Sequence, residues 1–178
     1  LSLLAMKLSV KKSPFKTRKM KHLLIASVLV CFSSFSYSQG WSLVWEDEFS
    51  GTTLDQSKWT HALGTGSQNG LWGWGNGELQ FYQAGNAEVS NGTLKIIAKE
   101  EPNGIVDSWG NTMYYSSSRI KTENKFEVRY GKIEARIKTV NGEGFWPAFW
   151  MLPSGGSWPC DGEIDIMEQW ANDWPTIE

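Results

Sequence analysis

Along most of the chain, apolar and polar residues alternate in short runs, and turn residues separate the runs. Trp41 to Phe49 forms a first strand-like stretch. Glu88 to Ala98 reads as a hairpin folded at Asn91-Gly92, the dipeptide that suits a tight two-residue turn. Lys125 to Lys138 alternates on both sides of Gly131, with Phe126, Val128 and Tyr130 before it and Ile133, Ala135 and Ile137 after it. No long 3.6-residue periodicity is visible. The pattern predicts an all-β chain, an antiparallel sandwich of the jelly-roll kind.

One stretch departs from simple alternation. In Asp161-Gly162-Glu163-Ile164-Asp165-Ile166-Met167-Glu168, carboxylates interleave with Ile and Met. Glu163 and Asp165 share a strand face, and Ile164 and Ile166 share the other. In a regular strand Glu168 falls on the wrong side. One extra residue in a β-bulge restores its phase, and Met167 is the expected bulge residue. Three neighbouring acids repel one another, so the strand is built for chemistry. Two carboxyls about 5 Å apart can cleave a glycosidic bond with retention, and a third between them can hydrogen-bond the nucleophile. A bare E-x-D-x-x-E also fits a solvated acidic edge strand. The neighbourhood decides between the two: Phe145, Trp146, Phe149, Trp150 and Trp158 all lie within twenty residues upstream, and flat rings beside paired acids suit a sugar.

Composition sharpens this picture. All 11 Trp lie after Ser38, more than a core of this size needs, so some are expected in an open groove. Residues 1 to 19 are basic with no recognisable core pattern and read as upstream sequence carried into the product. Met20 then opens a secretory signal over residues 20–38: Lys21 and His22, an apolar run from Leu23 to Phe32, and small residues to Ser38. That run is short for a membrane span, so export to the periplasm, cell surface or medium is expected, without a permanent anchor. The first 38 residues hold seven of the 17 Lys and Arg and none of the 19 Asp and Glu. The remainder therefore carries 10 basic against 19 acidic residues, a net −9. Such a balance argues against nucleic acid as a partner and favours a neutral glucan over a sulfated one. Cys160 is the single cysteine after residue 38, so no internal disulfide is expected there, and it should pack as a small apolar residue.

Phe145-Trp146-Pro147-Ala148-Phe149-Trp150-Met151-Leu152, followed by Trp158-Pro159-Cys160 and the acid stretch, resembles glycoside hydrolase family 16, above all its bacterial laminarinase (endo-β-1,3-glucanase) branch. The resemblance runs from about Trp41 to the last residue. It implies a concanavalin A-like jelly roll and a retaining endo-hydrolase acting on β-1,3-glucan, with Glu163 as nucleophile, Asp165 supporting it and Glu168 as acid/base. Mixed-linkage β-glucanase, agarase and a non-catalytic glucan-binding module are the alternatives.

Trp146 and Trp158 are the expected stacking platforms, and Trp150 is expected in the core. Asn76, in Asn76-Gly77-Glu78-Leu79-Gln80-Phe81-Tyr82, and Arg119, in Ser118-Arg119-Ile120, match family segments and are expected to touch sugar hydroxyls. Asn76 could equally be a turn residue, and Arg119 a surface ion-pair partner. Glu78 is expected to be structural, and His61 a loop residue without a role. The resemblance also implies a structural Ca²⁺ near Asp47 and Glu48, with Glu48 as the candidate ligand; no cofactor is expected for the reaction. A monomer is expected. An all-β sandwich of this type takes about 200–250 residues, so residues 39–178 are expected to be part of the catalytic domain of a longer gene.

Overall fold

The computed structural model describes residues 2–11, 40–140 and 142–170. The expected signal segment, 20–38, lies outside these residues. Twelve strands follow in order: β1 (Ser2–Lys11), β2 (Trp41–Asp47), β3 (Thr60–Ala62), β4 (Gln80–Tyr82), β5 (Ala87–Ser90), β6 (Thr93–Ile96), β7 (Lys99–Val106), β8 (Thr112–Ser117), β9 (Arg119–Lys121), β10 (Lys132–Lys138), β11 (Ala148–Met151) and β12 (Ile164–Glu168). Three short 3₁₀ turns are the only helical elements among the described residues. None of these is long and apolar enough to cross a membrane.

The largest sheet is built around β1. Strand β10 pairs antiparallel along one edge of β1, while β6 and β2 share the other. Strand β5 extends the sheet beyond β6. Elsewhere β3 pairs with β9, β11 with β12, and β8 lies between β7 and β4, the last pairing being parallel. The hairpin β5–β6 turns where expected. Asn91 and Gly92 both take positive φ, 53° and 68°, so the turn twists in the same sense as the strands it joins.

The core is lined by the hairpin β5–β6 and by the irregular segment between β2 and β3. Phe49, Leu54, Trp59, Val89 and Leu94 are buried together, with Met6, Trp45, Ala87, Ile96, Ile120, Ala135 and Ile137 packed against them. Trp59 stacks on Phe49 at 6.1 Å and meets Trp45 edge-on at 5.4 Å. Its indole N–H donates to Asp47 Oδ2 at 2.8 Å, so the one polar atom of a buried ring is satisfied. Each buried aromatic or Leu contributes on the order of 1.5–3 kcal/mol.

Several expectations are corrected here. The first residues carry a pattern after all: Met6, Leu8 and Val10 alternate with Lys7, Ser9 and Lys11, and Ser2–Lys11 forms the strand at the centre of the largest sheet. The alternation before Gly131 does not become a strand. Residues 125–131 run as turns and irregular chain, and Phe126 stacks on Trp45 at 5.4 Å. His61 lies inside β3 opposite Ile120, not in a loop, because β9 supplies a partner strand that local sequence does not reveal. Its Nδ1 is buried without a hydrogen bond, and burial lowers its pKa.

Candidate active site

The acid strand is set by the turn that precedes it. Asp161 N–H donates to the Ser157 carbonyl at 3.0 Å, Gly162 N–H to the Pro159 carbonyl at 3.1 Å, and Ser157 N–H to Asp161 Oδ2 at 2.6 Å. This compact turn carries Trp158 back over the start of β12. The Trp158 indole Nε1–H donates to Glu163 Oε2 at 2.7 Å. Cys160 sits in the same turn and is exposed. The expectation that it packs inward fails, since the turn leaves its side chain in solvent.

The bulge is present, one residue earlier than expected. In the β11–β12 register Trp150 faces Asp165 and Phe149 faces Met167, which leaves Ile166 as the extra residue. Met167 is buried and belongs to the inward face. The effect on phase is the expected one: Glu168 comes opposite Ala148 and is half-buried, while Glu163 and Asp165 are exposed. Trp146 Nε1–H donates to Glu168 Oε1 at 2.6 Å. The same ring stacks on Trp170, centroids 4.3 Å apart. Gln169 locks the strand end, its N–H on the Pro147 carbonyl and its amide on the Val140 carbonyl, both at 3.1 Å. Each glutamate thus accepts a short hydrogen bond from an indole that keeps ring surface in the open. Trp146 is 41% and Trp158 56% exposed.

A second cluster forms around Glu78. Its Oε2 accepts from Tyr82 OH at 2.6 Å and Gln80 Nε2 at 2.8 Å. Its Oε1 meets Asn76 Nδ2 at 3.4 Å and Arg119 Nη1 at 3.7 Å. Burial, and then the Glu78 charge, raise the Tyr82 pKa well above that of a free phenol. The Arg119 guanidinium lies over two rings, 4.5 Å from Trp74 and 4.7 Å from Trp150. Trp150 therefore packs against Arg119, and it is not part of the buried core cluster. Since Trp150 also faces Asp165 across β11–β12, it joins this cluster to the acid strand.

Sequence reading did not single out Trp74, Tyr82 or Trp170. The available signal for Tyr82 was the two-residue spacing of Glu78, Gln80 and Tyr82, which puts all three on one side of extended chain.

Trp74 stands on a loop that is fixed at its base. Gly66 has φ +80°, and a Cβ there would sit 2.3 Å from the Leu71 carbonyl oxygen, so only glycine fits this close approach. Trp74 itself has φ 52° and is held by N–H to the Thr65 carbonyl at 3.0 Å and indole N–H to the Gly64 carbonyl at 3.2 Å. Thr65 Oγ1 donates to Asp107 Oδ2 at 2.8 Å. Asp107 also accepts from the backbone of Trp109 and Asn111 and from the Asn111 amide. Burial favours its neutral form, but these donors prevail and lower its pKa to about 2.

Asp47 and Glu48, expected near a structural calcium ion, engage other partners in the folded chain. Both Asp47 oxygens are taken, by Phe49 N–H at 2.9 Å and by Trp59 Nε1–H, with Lys58 Nζ 3.7 Å away. Glu48 pairs with Lys7 at 2.9 Å. Among the described residues no three acidic, His or Cys side chains lie together as a metal group.

Residues 75–178 match the glycosyl hydrolases family 16. The chain belongs to this family. A glucan endo-1,3-beta-glucosidase A1 of Niallia circulans is 43% identical over 136 residues, covering 72% of this chain and 20% of that protein. A beta-glucanase of Rhodothermus marinus is 36% identical over 170 residues, covering 90% of this chain and 55% of the relative. Among solved structures, the laminarinase catalytic domain of Thermotoga maritima is 47% identical with a TM-score of 0.72, over 77% of this chain and 55% of that one. The chain thus spans about half or less of the relatives it matches. The all-β architecture is the jelly-roll sandwich of these family 16 laminarinases.

Proposed function

We propose that this chain carries the acid strand, and the cleft surface beside it, of a retaining endo-β-1,3-glucanase. One observation carries the reading: Glu163, Asp165 and Glu168 follow one another around the bulge of β12, and each glutamate is held by the indole N–H of an exposed Trp. Relatives named for endo-1,3-β-glucan cleavage support it.

In the reaction, Glu163 attacks the anomeric carbon of a glucosyl unit. The bond to the leaving oxygen breaks, and Glu168 gives that oxygen its proton. Water then loses a proton to Glu168 and attacks the glycosyl ester, which frees Glu163. Trp158 occupies Oε2 of Glu163, so Oε1 is left to form the covalent bond. Asp165 supports Glu163 from the same face. Trp146 and Trp158 supply flat surface for sugar rings, and the acidic balance suits an uncharged polymer. Two carboxyl side chains and one water carry both steps. Export through residues 20–38 and action as a monomer complete the proposal.

Reducing-sugar release from laminarin, lichenan and agar tests the substrate class, and NMR of the first product tests the stereochemistry. Laminarin should be cleaved fastest, with the β-anomer formed first. Release from agar alone, or an α-anomer as first product, would overturn the reading.

A further inference from the structure

We propose that Glu78 is a positioning residue, whose carboxylate holds Asn76 and Arg119 in place to receive sugar hydroxyls beside the acid strand. This rests on the glucanase reading above and assigns a task to a side chain that does not touch the reacting atoms.

The two oxygens of Glu78 are used differently. Oε2 takes two short bonds, from Tyr82 OH at 2.6 Å and Gln80 Nε2 at 2.8 Å, which fix the carboxylate to β4. Oε1 takes two long contacts, Asn76 Nδ2 at 3.4 Å and Arg119 Nη1 at 3.7 Å. A charge anchored on one side therefore attracts two donors on the other without saturating them. Asn76 is exposed and keeps a second amide hydrogen, and Arg119 has five N–H donors in its fork.

The guanidinium carbon lies over two rings, 4.5 Å from Trp74 and 4.7 Å from Trp150, and its Nη1 is 3.7 Å from Glu78 Oε1. The rings offer it broad surface without a directed bond, so the Glu78 charge is what fixes where along them it rests. The Glu78 side chain is only 10% exposed and that of Arg119 22%, so water screens their attraction weakly. A neutral amide at position 78 keeps the shape and removes the attraction. Arg119 then drifts along the rings, and Asn76 loses its reference point.

The test compares the enzyme with its Glu78→Gln, Arg119→Lys and doubly substituted forms, by steady-state kinetics on laminarihexaose and by near-ultraviolet circular dichroism without sugar. Glu78→Gln should raise KM about tenfold with kcat within about twofold, and alter the tryptophan bands. In the Arg119→Lys background it should add less than about threefold, the part carried by Asn76 alone. Unchanged KM, or effects that multiply in the double variant, would overturn the proposal. If Glu78→Gln does not fold, Tyr82→Phe decides: it removes one anchor and should raise KM about threefold, and an unchanged KM overturns. Should the unaltered enzyme cleave a different glucan, the glucanase reading is corrected and the same comparison on that glucan decides for Glu78. Should it cleave none, the glucanase reading falls, and an unaltered tryptophan spectrum in Glu78→Gln overturns the hold on Arg119 as well.

Discussion

Trp158 donates its indole N–H to Glu163 Oε2 at 2.7 Å, across the tight turn that leads into the acid strand. A ring suited to carry a sugar therefore also orients the carboxylate proposed to attack that sugar. A hydrogen bond to a charged group contributes about 1.5–3 kcal/mol. Trp158→Phe keeps a flat ring and loses the donor. It should lower kcat on laminari-oligosaccharides by about 10- to 100-fold with little change in KM. An unaltered kcat would show that the indole serves as a platform alone.

Replacing Glu163 by Ala should lower kcat by several orders of magnitude while thermal unfolding stays cooperative. Azide can take the place of the missing nucleophile on the opposite face, giving an α-glycosyl azide detectable by NMR. A β-azide, or rescue confined to Glu168→Ala, would exchange the two roles.

Deleting Ile166 removes the residue that faces no partner on β11. The strand then reads regularly as Glu163-Ile164-Asp165-Met167-Glu168, and the three acids stay on one face without a bulge. The deletion should therefore keep cooperative unfolding and leave no carboxylate buried, as melting curves would show. A deletion variant that no longer unfolds cooperatively would show that the strand needs the bulge itself and not only the common face.

Asp107 ties the loop that bears Trp74 to the turn before β8. Its pKa is lowered to about 2 in the folded chain, below that of a free carboxylate. The sign follows: its stabilisation is fully present above about pH 4 and is lost as pH falls toward 2. Asp107→Asn should therefore melt at a lower temperature than the unaltered protein at pH 6, with the gap narrowing near pH 2. Melting curves at the two pH values check this, and a gap that stayed constant would contradict it.

Ile164 lies on β12 with 63% of its surface exposed, in a sheet of only two strands among the described residues. An apolar side chain on an uncovered edge invites association. Ile164→Lys should reduce aggregation of the chain in light scattering. Equal scattering from both forms would locate the sticky surface elsewhere.

What the sequence disclosed, and what it hid, divides by range. The Asn91-Gly92 hairpin and the strand from Trp41 were legible because turn chemistry and alternation act over a few residues. The acid strand and its need for a bulge were legible from parity. The bulge's place at Ile166 was not, because register depends on which residue Phe149 and Trp150 face across the sheet. Strand β1 was hidden by its lysines, which look like a solvated run until β2 and β10 flank it. The Glu78 cluster joins residues from three separate stretches, so only the folded chain shows that Asn76 and Arg119 meet at one carboxylate.

The bulge has a genetic side. With two residues between Asp165 and Glu168 the three acids share a face only because the strand bulges, whereas with one residue between them a regular strand would do the same, and the difference is one codon. Point substitutions at Ile166 change a side chain but preserve the count, so a mutational library should tolerate many of them. An in-frame loss of one codon from 166 to 167 leaves every acid in the sequence and on the same side, in a strand that no longer bulges. This strand can therefore drift by one residue in length without scattering its acids.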